Sequence, residues 1–426
     1  MRVNSMTMQN FRGIGELSLI LPKDQTAVIV GINGAGKSSI LDCMAIMLSR
    51  LIGRIQLSKG TGRFFSENDI HNSAIETHNK IHVTVGSAPI FWNILKTRHG
   101  KKHQSITNLK DIKQFVLQFT SDGGVEKDTN VPLAVYYPVN RAVLDIPLRI
   151  RGRHELDQLT AYNQALTGAR NDFRTFFEWF RYREDIENEE YRDLTDHGKQ
   201  VLREPLMQYG MDRQLSAVRA AIEKLMPGFA NLRVRRKPNL KMTVEKNGEE
   251  LIVNQLSDGE KCLLAMTGDL ARRLAIANPS LKNPLDGLGV VLIDEVDLHL
   301  HPQWQRIIIP SLERTFSNCQ FVVSTHSPLV LSYLRKEQVF LLEDFKIVEK
   351  TPHTYGRDIG SILFDVMAVL DRPDEIKKRL EACNHLIDID KFDDARRQLT
   401  ELESLLGPND PEILRSKSML AFLEES

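Results

Sequence analysis

Residues 31–39 read Gly-Ile-Asn-Gly-Ala-Gly-Lys-Ser-Ser, between an apolar, β-branched run, Ala27–Val30, and a stretch with helical spacing, Ser38–Arg50. That juxtaposition leaves few folds open. The glycines let successive backbone N–H groups turn inward toward one point, and the following helix aims its positive end at the same point. A strand that is apolar at every position must be buried on both faces, as in a parallel sheet covered by helices. The pattern G-x-x-x-x-G-K-S therefore implies a strand–loop–helix unit that cradles phosphate. Asn33, Gly34, Gly36 and Ser39 are its candidate nucleotide contacts. Lys37 is expected to reach the β- and γ-phosphates, and the Ser38 hydroxyl to ligate Mg²⁺.

Three further segments gain meaning beside that loop. Val290–Ile293 is a second apolar run, and Asp294 and Glu295 emerge at its C-terminal end. Asp294 is placed to hold Mg²⁺ through water, because such cations keep part of their shell. Glu295 is placed to orient and deprotonate an attacking water. Leu256-Ser-Asp-Gly-Glu-Lys261 reads as a capped helix start: Ser257 or Asp258 caps, and Gly259 gives a bare first turn. Phe321–Val323 is a third buried-strand candidate, followed by Ser-Thr-His-Ser-Pro, which puts His326 just past the strand. Alone, each has a plain structural explanation: carboxylates end strands, serines cap helices, histidines lie on surfaces. Their order on one chain carries the weight.

That order resembles the ABC ATPase superfamily, with Leu256–Lys261 in the place of its signature and Asp297 in that of its D-loop aspartate. The resemblance implies an α/β fold, an ABC-type P-loop head with a mixed, largely parallel sheet, a helical insertion and a helical C-terminal tail. It implies ATP and Mg²⁺ as ligands, Glu295 and His326 as catalytic residues, and Ser257 and Gly259 contacting nucleotide held by a second copy. Asn10-Phe-Arg-Gly13, the wording of the signature, and Leu298-His-Leu-His-Pro302 resemble the branch holding SMC proteins, RecF and the OLD nucleases. In that branch the arginine approaches nucleotide, so Arg12 is a candidate. Tyr136-Tyr-Pro-Val-Asn-Arg141 and the tail opening at Tyr355-Gly-Arg-Asp358 look most like the Septu-type anti-phage ATPases (PtuA). This implies a separate HNH nuclease partner and a role in restraining or delivering it. A stand-alone, RecF-like DNA repair ATPase and an ATP-binding scaffold with little turnover are the competing readings. Asp388-Ile-Asp390 superficially offers the metal pair of an OLD-type Toprim domain. It lies instead in a stretch patterned as two helices and a turn, with Ala395 at a small position and Gly407-Pro408 at a helix stop, similar to a tetratricopeptide unit.

At 426 residues the chain exceeds the size of one ordinary core, and its composition, 42% hydrophobic and 26% charged, is that of globular proteins. An ATPase head is expected over 1–345, with helical insertion at about 154–226, and a helical, partner-binding region over 346–426. Lys+Arg and Asp+Glu balance at 56 each, so any DNA contact must be local. Lys96–His103, Arg149–Arg153 and Arg233–Lys237 are the candidates. Four scattered cysteines argue against a disulfide framework or zinc site, and no run of about twenty apolar residues exists to span a membrane. A cytoplasmic homo-oligomer joined through its heads is the expectation. Secondary-structure signals include an opening hairpin (Met6–Phe11 and Leu17–Leu21), strands at Lys80–Val85 and Phe115–Phe119, and a hairpin turn at Asn247-Gly248.

Overall fold

The computed structural model describes residues 1–23, 26–57, 60–101, 106–117, 120–121, 124–125, 129–141, 157–167, 174–196, 212–349, 351–367, 369 and 372–424. The chain forms two compact units, Met1–Arg357 and Asp358–Ser426.

The first unit opens with the expected hairpin, β1 (Arg2–Phe11) and β2 (Ile14–Ile20), then β3 (Ala27–Val30) and α1 (Lys37–Gln56). β4 (Glu76–Val85) and β5 (Ala88–Thr97) complete an antiparallel sheet in the order β2-β1-β4-β5. Val3, Met6, Met8 and Phe11 of β1 are buried, together with alternate residues of β4, so one face of the sheet is buried. Trp92 of β5 donates its indole N–H to the carbonyl of Met47 in α1 (3.2 Å), which anchors this sheet to the helix.

The segment expected as a strand at Phe115–Phe119 is instead the end of helix α2 (Lys110–Val116); Gln118 and Phe119 lie outside the described residues. Ile112, Phe115 and Val116 are its buried positions, spaced three and four apart. An apolar run too short to show a period is ambiguous, and packing of that face selected the helix. Two short strands that pair antiparallel, β6 (Thr120–Ser121) and β7 (Gly124–Val125), precede β8 (Leu133–Tyr137). The described parts of the helical insertion are a 3₁₀ turn at Gln158–Tyr162, α3 (Arg174–Asp196) and α4 (Arg213–Leu225). Phe176, Phe177, Trp179 and Phe180 of the aromatic cluster are buried; Phe173 lies outside the described residues.

β9 (Phe229–Arg235), β10 (Lys241–Lys246) and β11 (Glu249–Ile252) form a small antiparallel sheet. Asn247 (φ 52°) and Gly248 (φ 86°) make its tight turn, as that pair favours. Then come α5 (Asp258–Ala277), β12 (Gly289–Ile293), α6 (Pro302–Thr315), β13 (Cys319–Thr325), α7 (Pro328–Leu331), β14 (Val339–Glu343) and β15 (Lys346–Ile347).

The central sheet runs β15-β14-β3-β13-β12-β8, parallel except for β15. Every residue of β3, β8 and β12 is buried, as their unbroken apolar runs require. Register decides where function can sit. Val30 pairs with Thr325, Val323 with Ile293, and Ile293 with Tyr137. The residues that follow these strands, Gly31, His326, Asp294 and Pro138, therefore leave the sheet at one edge. In open α/β sheets ligands bind beyond the carboxyl ends of the strands.

The second unit is helical: α8 (Ile359–Met367), α9 (Asp374–Asp388), α10 (Phe392–Leu406) and α11 (Pro411–Glu424). Leu380, Cys383, Ile387, Leu399, Leu402 and Ile413 build its core, with Ala395 fully buried. Asp388 ends α9, Asp390 lies in the turn, and both are exposed. Gly407 (φ 87°) ends α10. Among the described residues no helix is long and apolar enough to cross a membrane.

Candidate active site

The loop after β3 is shaped by glycine. Gly34 (φ 83°) and Gly36 (φ 108°) occupy conformations that side chains resist, and Gly36 turns the chain into α1. A Cβ on Gly31 would lie 2.3 Å from the carbonyl oxygen of Leu342 in β14. Asn33, Gly34 and Ser38 are exposed and Ser39 is half-buried. Lys37 is buried; its ammonium donates to the carbonyls of Gly31 and Ile32, both at 3.0 Å. Burial pulls its pKa below the ordinary lysine value, opposed by the charges of Asp294, Glu295 and Asp297.

Asp294 is 2% exposed, and its N–H donates to the Tyr137 carbonyl (2.9 Å). Ser324, from β13, ties the pair together: its hydroxyl donates to Asp294 Oδ1 (2.5 Å) and accepts from the Glu295 N–H (2.8 Å). Glu295 itself sits at φ 48°, a left-handed conformation. Arg141, buried at the end of β8, donates to the carbonyl oxygens of Asp294, Glu295 (2.5 Å) and Pro138 (3.1 Å). Thr325 Oγ1 donates to Asp297 (2.5 Å), fixing the next turn. Half-buried His326 has its pKa lowered from 6.5 by burial and then by the Lys37 charge, against Glu295, Asp297 and Asp294.

Mg²⁺ chemistry suits this donor set. A hydroxyl at Ser38 and one buried carboxylate at Asp294 offer hard oxygen ligands. Among the described residues no group of three or more His, Cys, Asp or Glu could hold a metal.

The other candidate residues lie elsewhere. Ser257 caps α5 and accepts from the Glu260 N–H (3.3 Å), while the Glu260 carboxylate accepts from the Ser257 N–H (3.1 Å). Gly259 is buried, and a Cβ there would lie 2.0 Å from the His299 carbonyl oxygen. These two, with Glu260, His301, Gln303 and Trp304, line a separate groove of about 510 Å³. Arg12 (φ 50°) is ion-paired with Asp42, just past Ser39 in α1, and with Asp69 (2.9 Å). Arg63 also pairs with Asp42 (2.8 Å). Of the basic segments, Arg149–Arg153, Lys102 and His103 lie outside the described residues. Arg233 (3.8 Å) and Arg235 (2.8 Å) pair with Glu250, and Arg236 with Asp185.

Sequence reading left Arg141 and Ser324 without roles, although both stand inside quoted motifs. The change from an apolar run to Ser-Thr at the strand end was the available signal for Ser324. Phe345 was not singled out: it turns the corner from β14 to β15 at φ 61°, and Cβ atoms on Gly13 or Gly36 would meet its ring at 2.3 and 2.9 Å.

A phosphate loop, a carboxylate pair and a histidine at one edge of a largely parallel sheet, with a capped signature helix, define an ABC-type ATPase. Residues 27–332 match the family described as "AAA domain, putative AbiEii toxin, Type IV TA system". The chain is 32% identical over 98% of its length to the "Retron Ec83 probable ATPase" of Escherichia coli, covering 86% of that protein. It is 30% identical over 87% of its length to the "Retron Vc95 probable ATPase" of Vibrio cholerae, covering 79% of it. To the Septu protein PtuA of Bacillus mycoides it is 33% identical over 26% of the chain and 16% of the relative. The chain belongs to this family of ATPases, and the resemblance to PtuA is carried by a part of the chain.

Proposed function

We propose that this ATPase is a regulatory subunit of an anti-phage defence system, dimerising head-to-head around ATP and controlling an associated HNH-type nuclease that acts on DNA. The observation that carries dimerisation is the separation of the two half-sites. Lys37, Asp294, Glu295 and His326 share one edge, whereas Ser257 and Gly259 line a different groove. A helix N-terminus with a bare glycine turn is suited to a phosphate, and a second copy supplies one. In this reading Lys37 and the loop N–H groups offset the charge on the β- and γ-phosphates. Glu295 takes the proton of the attacking water, and neutral His326 accepts or donates a hydrogen bond at the γ-phosphate. Mg²⁺, held by Ser38 and Asp294, would supply charge neutralisation of the phosphates.

The retron and Septu names of the relatives support the defence setting, and the tetratricopeptide-like pattern of the tail supports a protein partner. With the Arg233–Lys237 arginines engaged by acidic neighbours, Lys96–Lys101 is the better DNA candidate among the described residues. The test is sedimentation of Glu295→Gln protein with and without ATP, together with co-purification from its native operon. ATP-dependent doubling of mass and a co-purifying nuclease are expected. An unchanged mass removes the dimer, and purification without a nuclease favours a stand-alone DNA repair ATPase.

A further inference from the structure

We propose that Arg141 is a positioning residue for hydrolysis: its guanidinium fixes the backbone on which Glu295 is mounted. This rests on the reading of Glu295 as the base.

Glu295 holds a left-handed backbone, φ 48°, in a residue that has a Cβ. Such a conformation persists only when its surroundings enforce it. Two groups grip that residue's peptide units. Ser324 accepts its N–H at 2.8 Å, and Arg141 donates to its carbonyl oxygen at 2.5 Å. The same guanidinium also holds the preceding carbonyl, of Asp294, and that of Pro138 at 3.1 Å. Arg141 is 4% exposed and, among the described residues, its charge is met by backbone carbonyls and by no carboxylate. A buried cation is costly, and one committed to carbonyls gains less than one facing a carboxylate. The planar fork instead suits adjacent carbonyls in a fixed geometry, which a lysine, a single point charge, cannot reproduce.

Arg141 is held in turn. Its own carbonyl oxygen accepts from the thiol of Cys262 (4.0 Å), a residue of α5 one turn beyond Gly259. Its side chain therefore reaches the main-chain carbonyls of Asp294 and Glu295 from a backbone lodged against the signature helix.

The experiment compares full-length wild type, Arg141→Ala, Arg141→Lys and Glu295→Gln in ATP hydrolysis and in binding of a fluorescent ATP analogue. A displaced base slows chemistry without loosening the phosphate loop, so Arg141→Ala is expected to lower kcat by roughly ten- to a hundredfold. Its KM and analogue Kd should stay within about threefold of wild type. Arg141→Lys should fall between, and added millimolar guanidinium should raise the rate of Arg141→Ala but not of Glu295→Gln. If the alanine variant does not fold, the lysine variant carries the test: an intermediate kcat at normal Kd supports the proposal, and a wild-type kcat overturns it. Wild-type kcat in Arg141→Ala beside an inactive Glu295→Gln also overturns it, as does weakened binding with kcat intact. Normal hydrolysis by Glu295→Gln would remove the base itself, a failure of the underlying reading that the panel separates from the first.

Discussion

A methyl group on Gly259 has nowhere to go: the carbonyl oxygen of His299 lies 2.0 Å from where it would be. Backbone cannot rotate aside, so Gly259→Ala must displace the start of α5 or the His299 turn. Because that turn of helix is expected to meet nucleotide bound to another subunit, the substitution should cut turnover about tenfold or more. ATP binding at the chain's own loop should persist in a nucleotide titration; loss of binding would place the signature beside its own loop. His326 makes a second residue-scale prediction. Its pKa lies below 6.5, so it is neutral at pH 7 and takes up a proton only in more acid solution. The kcat/KM profile should be flat above about pH 7 and fall as the imidazole becomes charged, with that component absent in His326→Gln. A profile that is the same in both proteins removes the histidine from the reaction. Residues of this kind stand out in a sequence because a phosphate site calls for particular types in a particular order. Arg141 was not, because its partners are backbone carbonyls 153 and 154 positions away. A carbonyl has no residue type, so nothing in the sequence marks the pairing.

The elements read as well as their periodicity allowed. β3 and β12 follow unbroken apolar runs and the Asn247-Gly248 turn follows its dipeptide, whereas α2 was mistaken because its apolar run was too short to show a period. Helix α5 shows what pattern alone misses. Nearly all of it beyond Cys262 is buried, including Asp269, Arg272 and Arg273. Asp269 binds Arg272 (2.8 Å) and Arg273 (2.7 Å) and accepts from the Tyr137 hydroxyl (3.0 Å), joining α5 to the end of β8. Burial pushes the Asp269 pKa up, but the two arginines outweigh it and hold it at about 2, against an ordinary 3.8. A lowered carboxyl pKa means the stabilisation is complete above pH 4 and is lost as pH falls toward 2. Asp269→Asn leaves two buried guanidinium charges without their counter-ion and should destabilise the head by about 3–5 kcal/mol in urea unfolding. The variant should also lack the part of the acid-unfolding slope between pH 4 and 2. A loss under about 1 kcal/mol would mean water reaches the arginines.

At the scale of the molecule, sequence order supplied the set of motifs, and the sheet's register then brought four of its strand ends to one edge. No sequence rule gives the distance between a loop and a signature in the same chain. Their separation is a product of topology, since α5 enters from the small sheet of β9–β11 while the phosphate loop enters from β3. If each half-site completes the other across a two-fold interface, two separately inactive proteins should restore each other. Lys37→Ala keeps a working signature, and Ser257→Arg, at an exposed position, keeps a working loop. In a mixed dimer one composite site combines both defects and the other has neither. Random pairing makes half the dimers mixed with one intact site of two, so an equimolar mixture should hydrolyse ATP at about a quarter of the wild-type rate per subunit. The rate should fall on dilution as the dimers dissociate. A mixture no more active than its parents would remove the shared site and leave a head that works alone.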